Sequence, residues 1–214
     1  MEIMGFAAGP FKTNCYLVVQ EGHVVIIDPG MHALPRIVAL VEERNLVVDK
    51  VLLTHGHIDH TRDCAAVARR FNVPAFIHED DKFMVTDPPL GVAPATALLF
   101  DAANMQAVPD LRCISDGEVI DVSGVDFIVR HAPGHSPGCV MFEGPEVCFT
   151  GDVLFQGSIG RTDLVHSDPA AMERSLAGPV LSLPDSLHLL PGHGPATTMR
   201  AERISNPYLR NLVV

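Results

Sequence analysis

Thr54-His55-Gly56-His57-Ile58-Asp59-His60 decides the fold, because it gathers imidazoles and a carboxylate directly after a short apolar strand. Residues two apart in an extended loop point the same way, so His55 and His57 can reach one point. Asp59 and His60 begin the next predicted helix and can face a neighbouring point. A polar loop with incidental histidines is the alternative, but such crowding destabilises a loop unless something binds these groups. The stretch therefore predicts a metal site.

Further candidate ligands lie downstream, each after a predicted strand and beside glycine: His135, Asp152 and His193. Taken singly, each is a turn or capping residue. Strand ends on one rim of a sheet are where functional sites collect, so together with the first stretch they predict one shared centre. Imidazole with carboxylate suits Zn, Fe or Mn, and no cysteine falls among these candidates.

Apolar periodicity and turn residues predict two strand-rich halves flanked by helices. Strands are predicted at residues 15–20, 23–28, 50–53, 73–77, 118–122, 125–131, 139–142, 146–149 and 187–190, and helices at 33–44, 65–71, 168–176 and 197–204. This order favours an α/β fold with two sheets packed face to face between helical layers. We expect residues 1–214 to form one domain. Residues 79–108 are expected to form a short helix followed by an irregular, lid-like insertion, with disorder as the alternative.

Composition narrows the functional classes. The chain has 214 residues and a formal net charge of −11, which disfavours binding to nucleic-acid backbones. Its 5 cysteines include no CxxC pair, which favours a reducing compartment. No signal peptide and no membrane-spanning run are evident, so we expect a cytoplasmic location without membrane partners. The oligomeric state is left open.

The pattern HxHxDH, followed by a lone His, a lone Asp and a last His, resembles the metallo-β-lactamase superfamily. The matching residues run from Asp28-Pro29-Gly30 to Pro191-Gly192-His193. The resemblance implies a four-layer αββα sandwich and two divalent transition-metal ions, Zn foremost, with Fe or Mn as alternatives. It further implies the ligand sets: His55, His57 and His135 for the first metal, Asp59, His60 and His193 for the second, and Asp152 for both. Asp28 would orient a ligand imidazole, or would simply form the turn before Pro29.

The resemblance also implies a reaction mechanism. A metal lowers the pKa of its bound water from about 15.7 to near 7, which gives hydroxide at neutral pH. The hydroxide would attack a carbonyl carbon, while the second metal polarises the carbonyl oxygen or steadies the leaving group. Asp59 or Asp152 would orient the water or take its proton, which makes them the candidate catalytic residues. Substrate-binding residues are left unassigned.

Within the superfamily, the chain is most similar to the glyoxalase II-like, hydroxyacylglutathione hydrolase group. The resemblance lies in residues 151–163, 190–195 and 206–209. It implies hydrolysis of a small-molecule thioester of a low-molecular-weight thiol. The sequence departs from longer members, since it lacks their extended carboxy-terminal helical region and the basic and tyrosine residues that grip glutathione. It therefore resembles the short bacterial-type branch, and the thiol stays open.

Several alternatives use the same residues. An iron-dependent persulfide dioxygenase is similar around Gly160-Arg161-Thr162-Asp163, and a lactone hydrolase could use the same metal centre. The net charge of −11 disfavours a nucleic-acid phosphodiesterase, and the complete ligand set disfavours a non-enzymatic binding module. Arg161 could meet an anionic substrate or pair with Asp163. His131 is expected to be packed or hydrogen-bonded and not to bind metal.

Overall fold

The computed structural model describes residues 1–212 of the chain. Two six-stranded sheets, ordered β1-β2-β3-β4-β5-β6 and β14-β13-β10-β9-β8-β7, contain most of the strands, and β11 and β12 form a short hairpin. The strands are β1 (Glu2–Ala8), β2 (Thr13–Gln20), β3 (His23–Ile27), β4 (Val47–Leu52), β5 (Ala75–His78), β6 (Leu111–Ile114), β7 (Val119–Val122), β8 (Val125–His131), β9 (Val140–Glu143), β10 (Val147–Gly151), β11 (Leu154–Phe155), β12 (Ser158–Ile159), β13 (His188–Pro191) and β14 (Thr197–Thr198).

Helices cover the outer faces of both sheets. They are α1 (Leu34–Glu43), α2 (Ile58–Thr61), α3 (Cys64–Phe71), α4 (Lys82–Thr86), α5 (Pro94–Leu99), α6 (Pro169–Ser175), α7 (Met199–Ser205) and α8 (Pro207–Arg210), and a π-helical turn, Leu176–Val180, follows α6. Among residues 1–212, no helix is long and apolar enough to cross a lipid bilayer.

The alternation of side chains along β2 shows how the layers are built. Leu17 faces the helices and packs in one cluster with Ile37 of α1 and Val67 of α3. Val18 faces the other way and packs with Phe142 of the second sheet. A third cluster joins the outer face of the second sheet to α6, α7 and α8. These layers confirm the predicted αββα sandwich.

Parallel pairing brings the chemically important loops to one rim. β3, β4 and β5 are mutually parallel, and β10 is parallel to β13. Parallel neighbours need crossover connections, so their carboxyl ends, and the loops that follow, lie at the same edge. The loops after β3, β4, β5, β10 and β13 start there with Asp28, Leu53, Glu79, Asp152 and Gly192.

The segment 79–108 differs from the expected irregular loop. Beyond α4 it contains a second helix, α5, and short 3₁₀ turns at Glu79–Asp81, Pro88–Gly91 and Ala102–Asn104. Pro94 occupies the first turn of α5, where its fixed φ suits a helix. Phe100 and Ala102 then bury their side chains against Ile58 of α2. Proline therefore starts helices in this segment, and apolar contacts fix them on the rim.

Besides the two-residue strands β11, β12 and β14, two longer strands were not predicted from the sequence, β1 and β6. Both lie at the edges of the first sheet. Their burial is irregular, with several exposed side chains in β1 and two in β6. An edge strand gains its order from pairing with a neighbour, so its own sequence need not show a clean apolar alternation.

The core between the sheets yields a test of the fold. Phe142 is fully buried there, and Phe142→Ala should lower the free energy of unfolding by about 3–5 kcal/mol through lost burial and a residual cavity. Val119→Ala, at a side chain that is 57% exposed, should change it by no more than about 0.5 kcal/mol. Urea unfolding measures both. A loss below about 1 kcal/mol for Phe142→Ala would contradict this account of the core.

Candidate metal centre

The loop after β4 and the loop after β8 bring three imidazoles together, a group we call the first triad: His55, His57 and His135. Nε2 of His55 lies 3.1 Å from Nδ1 of His57, which lies 2.8 Å from Nε2 of His135. All three side chains are buried. Around a tetrahedral ion with metal–nitrogen bonds of about 2.0–2.1 Å, ligand nitrogens lie about 3.3 Å apart. The observed convergence is therefore close to that of a ligand set.

A second triad lies beside the first and consists of Asp59, His60 and His193. Because α2 begins at Ile58, Asp59 and His60 fall in its first turn. Oδ2 of Asp59 is 3.5 Å from Nε2 of His60 and 3.2 Å from Nε2 of His193. The two imidazole nitrogens are 3.4 Å apart. These atoms form a mixed nitrogen and oxygen set that could hold one ion.

Asp152 lies between the two triads. Its Oδ2 is 3.4 Å from Nε2 of His135 and 3.5 Å from Nε2 of His193. Its Oδ1 is 3.4 Å from Nε2 of His60. A side chain at Gly192 would collide with this carboxylate, so only glycine lets the loop after β13 approach so closely. The structure thus brings all of the ligand candidates from the sequence together at one rim.

Several of the ligands are also held by hydrogen bonds to residues outside the two triads. Nδ1 of His60 is 2.9 Å from Oδ2 of Asp28, and Nδ1 of His135 is 2.8 Å from the carbonyl oxygen of Arg161. The hydroxyl of Thr13 donates to Oδ2 of Asp59 at 2.7 Å. Such partners fix the orientation of a ligand and raise its basicity.

Asp28 combines both roles weighed for it in the sequence. Its φ of 51° places it in the left-handed region, as in a turn. Its carboxylate also accepts hydrogen bonds from the backbone N–H and the hydroxyl of Thr54, at 2.8 and 2.7 Å, beside its contact with His60. The same residue therefore ends β3 and ties it to the loop after β4.

Burial controls the protonation of His55 and His57 in the first triad. Burial, together with the nearby His60, holds the pKa of His55 well below its ordinary value. Burial, with His135 beside it, lowers the pKa of His57 to about 3. These imidazoles are therefore neutral at pH 7, which is the form that coordinates a metal ion.

The carboxylates in and around the second triad determine the charge at that site. Burial alone would raise the pKa of Asp59, but His60 and His193 outweigh it and hold the pKa below its usual range. The pKa of Asp152 is likewise lowered, since His60 and other imidazoles outweigh its burial. Burial opposes the charging of His60, yet Asp59, Asp152 and Asp28 raise its pKa well above the ordinary value. This concentration of negative charge favours a cation.

The donor set fits a divalent transition-metal centre. Oδ1 of Asp152 is buried and has no hydrogen-bond partner among residues 1–212. A buried carboxylate oxygen without a partner is strongly destabilising unless a cation compensates it. Imidazole nitrogen with carboxylate oxygen suits Zn, Fe or Mn. The residues present therefore suit the kind of divalent transition-metal ion that the sequence predicts.

A pocket of about 770 Å³ opens onto the centre. One wall comes from the segment 79–108 through Val92, Ala93 and Thr96, and another comes from the hairpin of β11 and β12 and the loop after it, through Phe155, Ile159 and Arg161. Side chains of the two walls are mostly apolar. Arg161 lines the pocket but pairs with Asp163 through contacts of 2.7 and 2.9 Å.

The sequence did not reveal the residues that hold the loop of His193. Asn14 donates its backbone N–H to the carbonyl oxygen of Gly192 and its side-chain amide to that of Pro191, at 2.7 and 2.9 Å. The hydroxyl of Tyr16 also donates to Pro191, at 2.8 Å. A polar pair before a buried strand, Thr13-Asn14, was the only signal available. These partners are more than 170 residues apart, so no local pattern could join them.

His131 is packed and hydrogen-bonded, as the sequence predicts. Its Nε2 is 2.8 Å from the carbonyl oxygen of Pro137, and its ring stacks on that of His78 with centroids 4.0 Å apart and planes 8° apart. Together with Asp80, these two histidines form a separate group whose possible ligand atoms lie within 4.8 Å of one another. His131 therefore supports the loop of His135 and lies outside both triads.

Comparisons with known proteins agree with this geometry. The family model of the metallo-beta-lactamase superfamily matches residues 8–205. The hydroxyacylglutathione hydrolase GloC of Haemophilus influenzae is 38% identical over 206 residues, which cover 94% of each chain. The crystal structure of the BLEG-1 B3 metallo-beta-lactamase is similar with a TM-score of 0.86 at 32% identity, covering 97% of this chain and 99% of that one. The structure of TTHA1623 in a di-iron-bound form is similar with a TM-score of 0.79 at 36% identity, covering 96% and 100%.

The position of Asp152 between the triads predicts an asymmetry among ligand variants. Asp152→Ala should weaken metal binding at both triads, because it removes an oxygen near each. His193→Ala should weaken only the second triad. Metal content after gel filtration, with native protein as reference, measures both. If Asp152→Ala kept one metal at native affinity while losing the other, the shared role of Asp152 would be wrong.

Proposed function

Because the chain belongs to the metallo-beta-lactamase superfamily, we propose that it is a metal-dependent hydrolase that cleaves a thioester of a low-molecular-weight thiol. The observation that carries the proposal is the pair of adjacent triads with Asp152 between them, at the base of a pocket of about 770 Å³. The 38% identity to a hydroxyacylglutathione hydrolase supports the substrate class.

In this proposal, the first triad would hold one divalent ion, the second triad would hold another, and Asp152 would contact both. Zn or Fe suits these donors, and the di-iron form of TTHA1623, at 36% identity, supports iron as an alternative to zinc. When bound, such ions supply Lewis acidity, which activates water at neutral pH and polarises a carbonyl oxygen.

In this proposal, two carboxylates act on the attacking water. Asp59 and Asp152 both line the pocket, and the lowered pKa of each keeps it ionised at neutral pH. Oδ2 of Asp59 is held by the Thr13 hydroxyl, so its orientation is fixed before substrate arrives. Oδ1 of Asp152 has no hydrogen-bond partner among residues 1–212, so it is available to a metal ion or to the attacking water. Either carboxylate can orient the water and accept its proton.

The pocket walls hold the rest of the substrate. Its volume falls within the range of about 300–1,000 Å³ that is usual for small-molecule sites. Val92, Ala93, Phe155 and Ile159 line it, so an acyl or thiol chain would displace water from these apolar surfaces. Arg161 is the basic residue on the rim and would meet a carboxylate of the thiol only by leaving Asp163.

A second candidate is hydrolysis of a β-lactam ring. It is favoured by the similarity to BLEG-1, which is described as a B3 metallo-beta-lactamase and shares 32% identity over nearly the whole chain. Both reactions are attacks of water on a carbonyl carbon, so the same centre suits both. The leaving group separates them, since a thioester releases a free thiol whereas a β-lactam opens its ring.

Purified protein reconstituted with Zn, Fe or Mn should hydrolyse S-lactoylglutathione and release one thiol per turnover. His57→Ala should abolish this activity, because it removes a ligand of the first triad. His188→Ala, at an exposed position on β13, is the matched control and should retain full activity. Thiol release with a chromogenic disulfide reagent measures all three proteins.

Other outcomes would redirect the assignment. Ring opening of a chromogenic cephalosporin without thiol release would favour the β-lactam reaction. Oxygen consumption with glutathione persulfide, together with one iron per chain and no thiol release, would favour the persulfide dioxygenase. Full thioesterase activity in His57→Ala would show that the proposed centre does not perform the reaction.

A further inference from the structure

Asp81 is a buried carboxylate that the proposed reaction does not use. It is the last residue of the 3₁₀ turn that follows β5, and its side chain is fully buried. Its Oδ2 accepts hydrogen bonds from the backbone N–H of Gly56 at 2.7 Å and from the hydroxyl of Ser136 at 2.5 Å. Its Oδ1 accepts one from the backbone N–H of Gly138 at 2.6 Å.

These donors belong to the two loops that carry the first triad. Gly56 stands between His55 and His57, and Ser136 directly follows His135. The two loops come from different sheets, one after β4 and the other between β8 and β9. A single carboxylate therefore joins the backbone that carries two ligands to the backbone that carries the third.

Close packing fixes this carboxylate in place. A side chain at Gly138 would lie 2.7 Å from the backbone nitrogen of Asp81, and one at Gly56 would lie 2.8 Å from its backbone oxygen. Both loops thus pass directly over Asp81 without any intervening side chain. A shift of either loop would break at least one of the three hydrogen bonds.

The cost of burying the Asp81 carboxylate indicates that its role is to fix the geometry of the two loops. Burial raises the pKa of Asp81, while the hydrogen bonds from Ser136, Gly56 and Gly138 oppose that rise. An apolar side chain in this place would avoid the burial of a carboxylate. Hydrogen bonds to a carboxylate are short and directional, so what Asp81 offers instead is a fixed spacing between the loops.

The second triad has different supports. Thr13 holds Asp59, Asp28 holds His60, and the carbonyl oxygen of Phe11 lies 3.2 Å from Nδ1 of His193. The turn of α2 is closed by its own backbone bonds from His60 and Thr61 to His57. The hydrogen bonds of the Asp81 side chain therefore reach the first triad only.

We propose that Asp81 is a positioning residue that sets the distance between His55, His57 and His135. By doing so it strengthens metal binding at the first triad and not at the second. This inference rests on the metal-binding part of the proposed function and not on the reaction. It also gives the segment 79–108 a second role, since its first turn supports the metal centre from beneath while Val92, Ala93 and Thr96 form the pocket wall.

Asp81→Asn tests the proposal, because the amide keeps the shape but offers one oxygen in place of two. At least one of the N–H groups of Gly56 and Gly138 would then face an NH₂ group or lose its acceptor. The substitution is made in two backgrounds: His193→Ala, which leaves the first triad, and His135→Ala, which leaves the second. Titration of the metal-free proteins with Zn²⁺ against a chromophoric chelator gives a dissociation constant for each.

We expect Asp81→Asn to raise the Zn²⁺ dissociation constant about 10- to 100-fold in the His193→Ala background, as is usual when the support of a ligand is lost. In the His135→Ala background the change should stay below about 3-fold. The spectrum of bound Co²⁺ in the His193→Ala background should also change, because the ligand geometry at the first triad changes.

Glu79→Gln is the matched control, since it removes one carboxylate charge from the same 3₁₀ turn at an exposed residue. It should leave both dissociation constants and the Co²⁺ spectrum unchanged. Urea unfolding of each metal-free protein separates a loss of stability from a loss of metal affinity.

Unchanged Zn²⁺ binding, or an equal loss in both backgrounds, would overturn the positioning role of Asp81. No Zn²⁺ binding in either background with Asp81 intact would overturn the metal centre itself. Absence of thioester hydrolysis would leave the inference standing, because the measurement follows metal binding alone.

Discussion

Convergence of buried imidazoles and carboxylates at one rim is the constraint on which the rest of the structure depends. Nitrogen atoms of His57 and His135 lie 2.8 Å apart, and Asp152 reaches within 3.5 Å of both triads. Such a cluster is strongly unfavourable by itself, because burial removes water from polar groups. Hydrogen bonds from surrounding residues to several of the ligands, and a cation that compensates the charge, offset this cost.

Hydrogen bonds near the ligands also connect the two sheets at the rim that carries the metal centre. Asn14 and Tyr16 of β2 in the first sheet bind the loop after β13 in the second. The backbone N–H of Val140 in β9 donates to the carbonyl oxygen of Thr54, beside the first triad. Asp81 adds a third connection between the loops of the two sheets. The contacts that stabilise the rim are therefore also those that position the ligands.

The parts of this arrangement that follow from local sequence could be predicted. The run from His55 to His60 is a short-range pattern whose geometry follows from a strand, a loop and a helix start, and the αββα layering follows from alternating apolar segments. Thr13, Asn14 and Asp81 could not be found, because each acts on residues between 25 and 177 positions away. Asp81 stands in the acidic run Glu79-Asp80-Asp81, which by pattern alone is typical of a solvent-exposed turn. The second helix of 79–108, α5, was missed for a related reason, since the order of that part of the segment comes from packing on Ile58.

The division of ligands between the sheets has a consequence for function. His55, His57, Asp59 and His60 follow β4 of the first sheet, whereas His135, Asp152 and His193 follow or join strands of the second. Neither sheet alone carries a complete triad, so the distance between the sheets sets the ligand spacing. That distance is fixed by large side chains such as Phe127, Phe142 and Phe149 in the core between them. Interiors are close-packed and deform little, so the core between the sheets holds the ligand-bearing loops of the two sheets at a constant spacing. The apolar core and the polar centre are therefore coupled. A substitution that changes the volume of a core side chain should change the distance between the sheets and, with it, the spacing of the metal ligands.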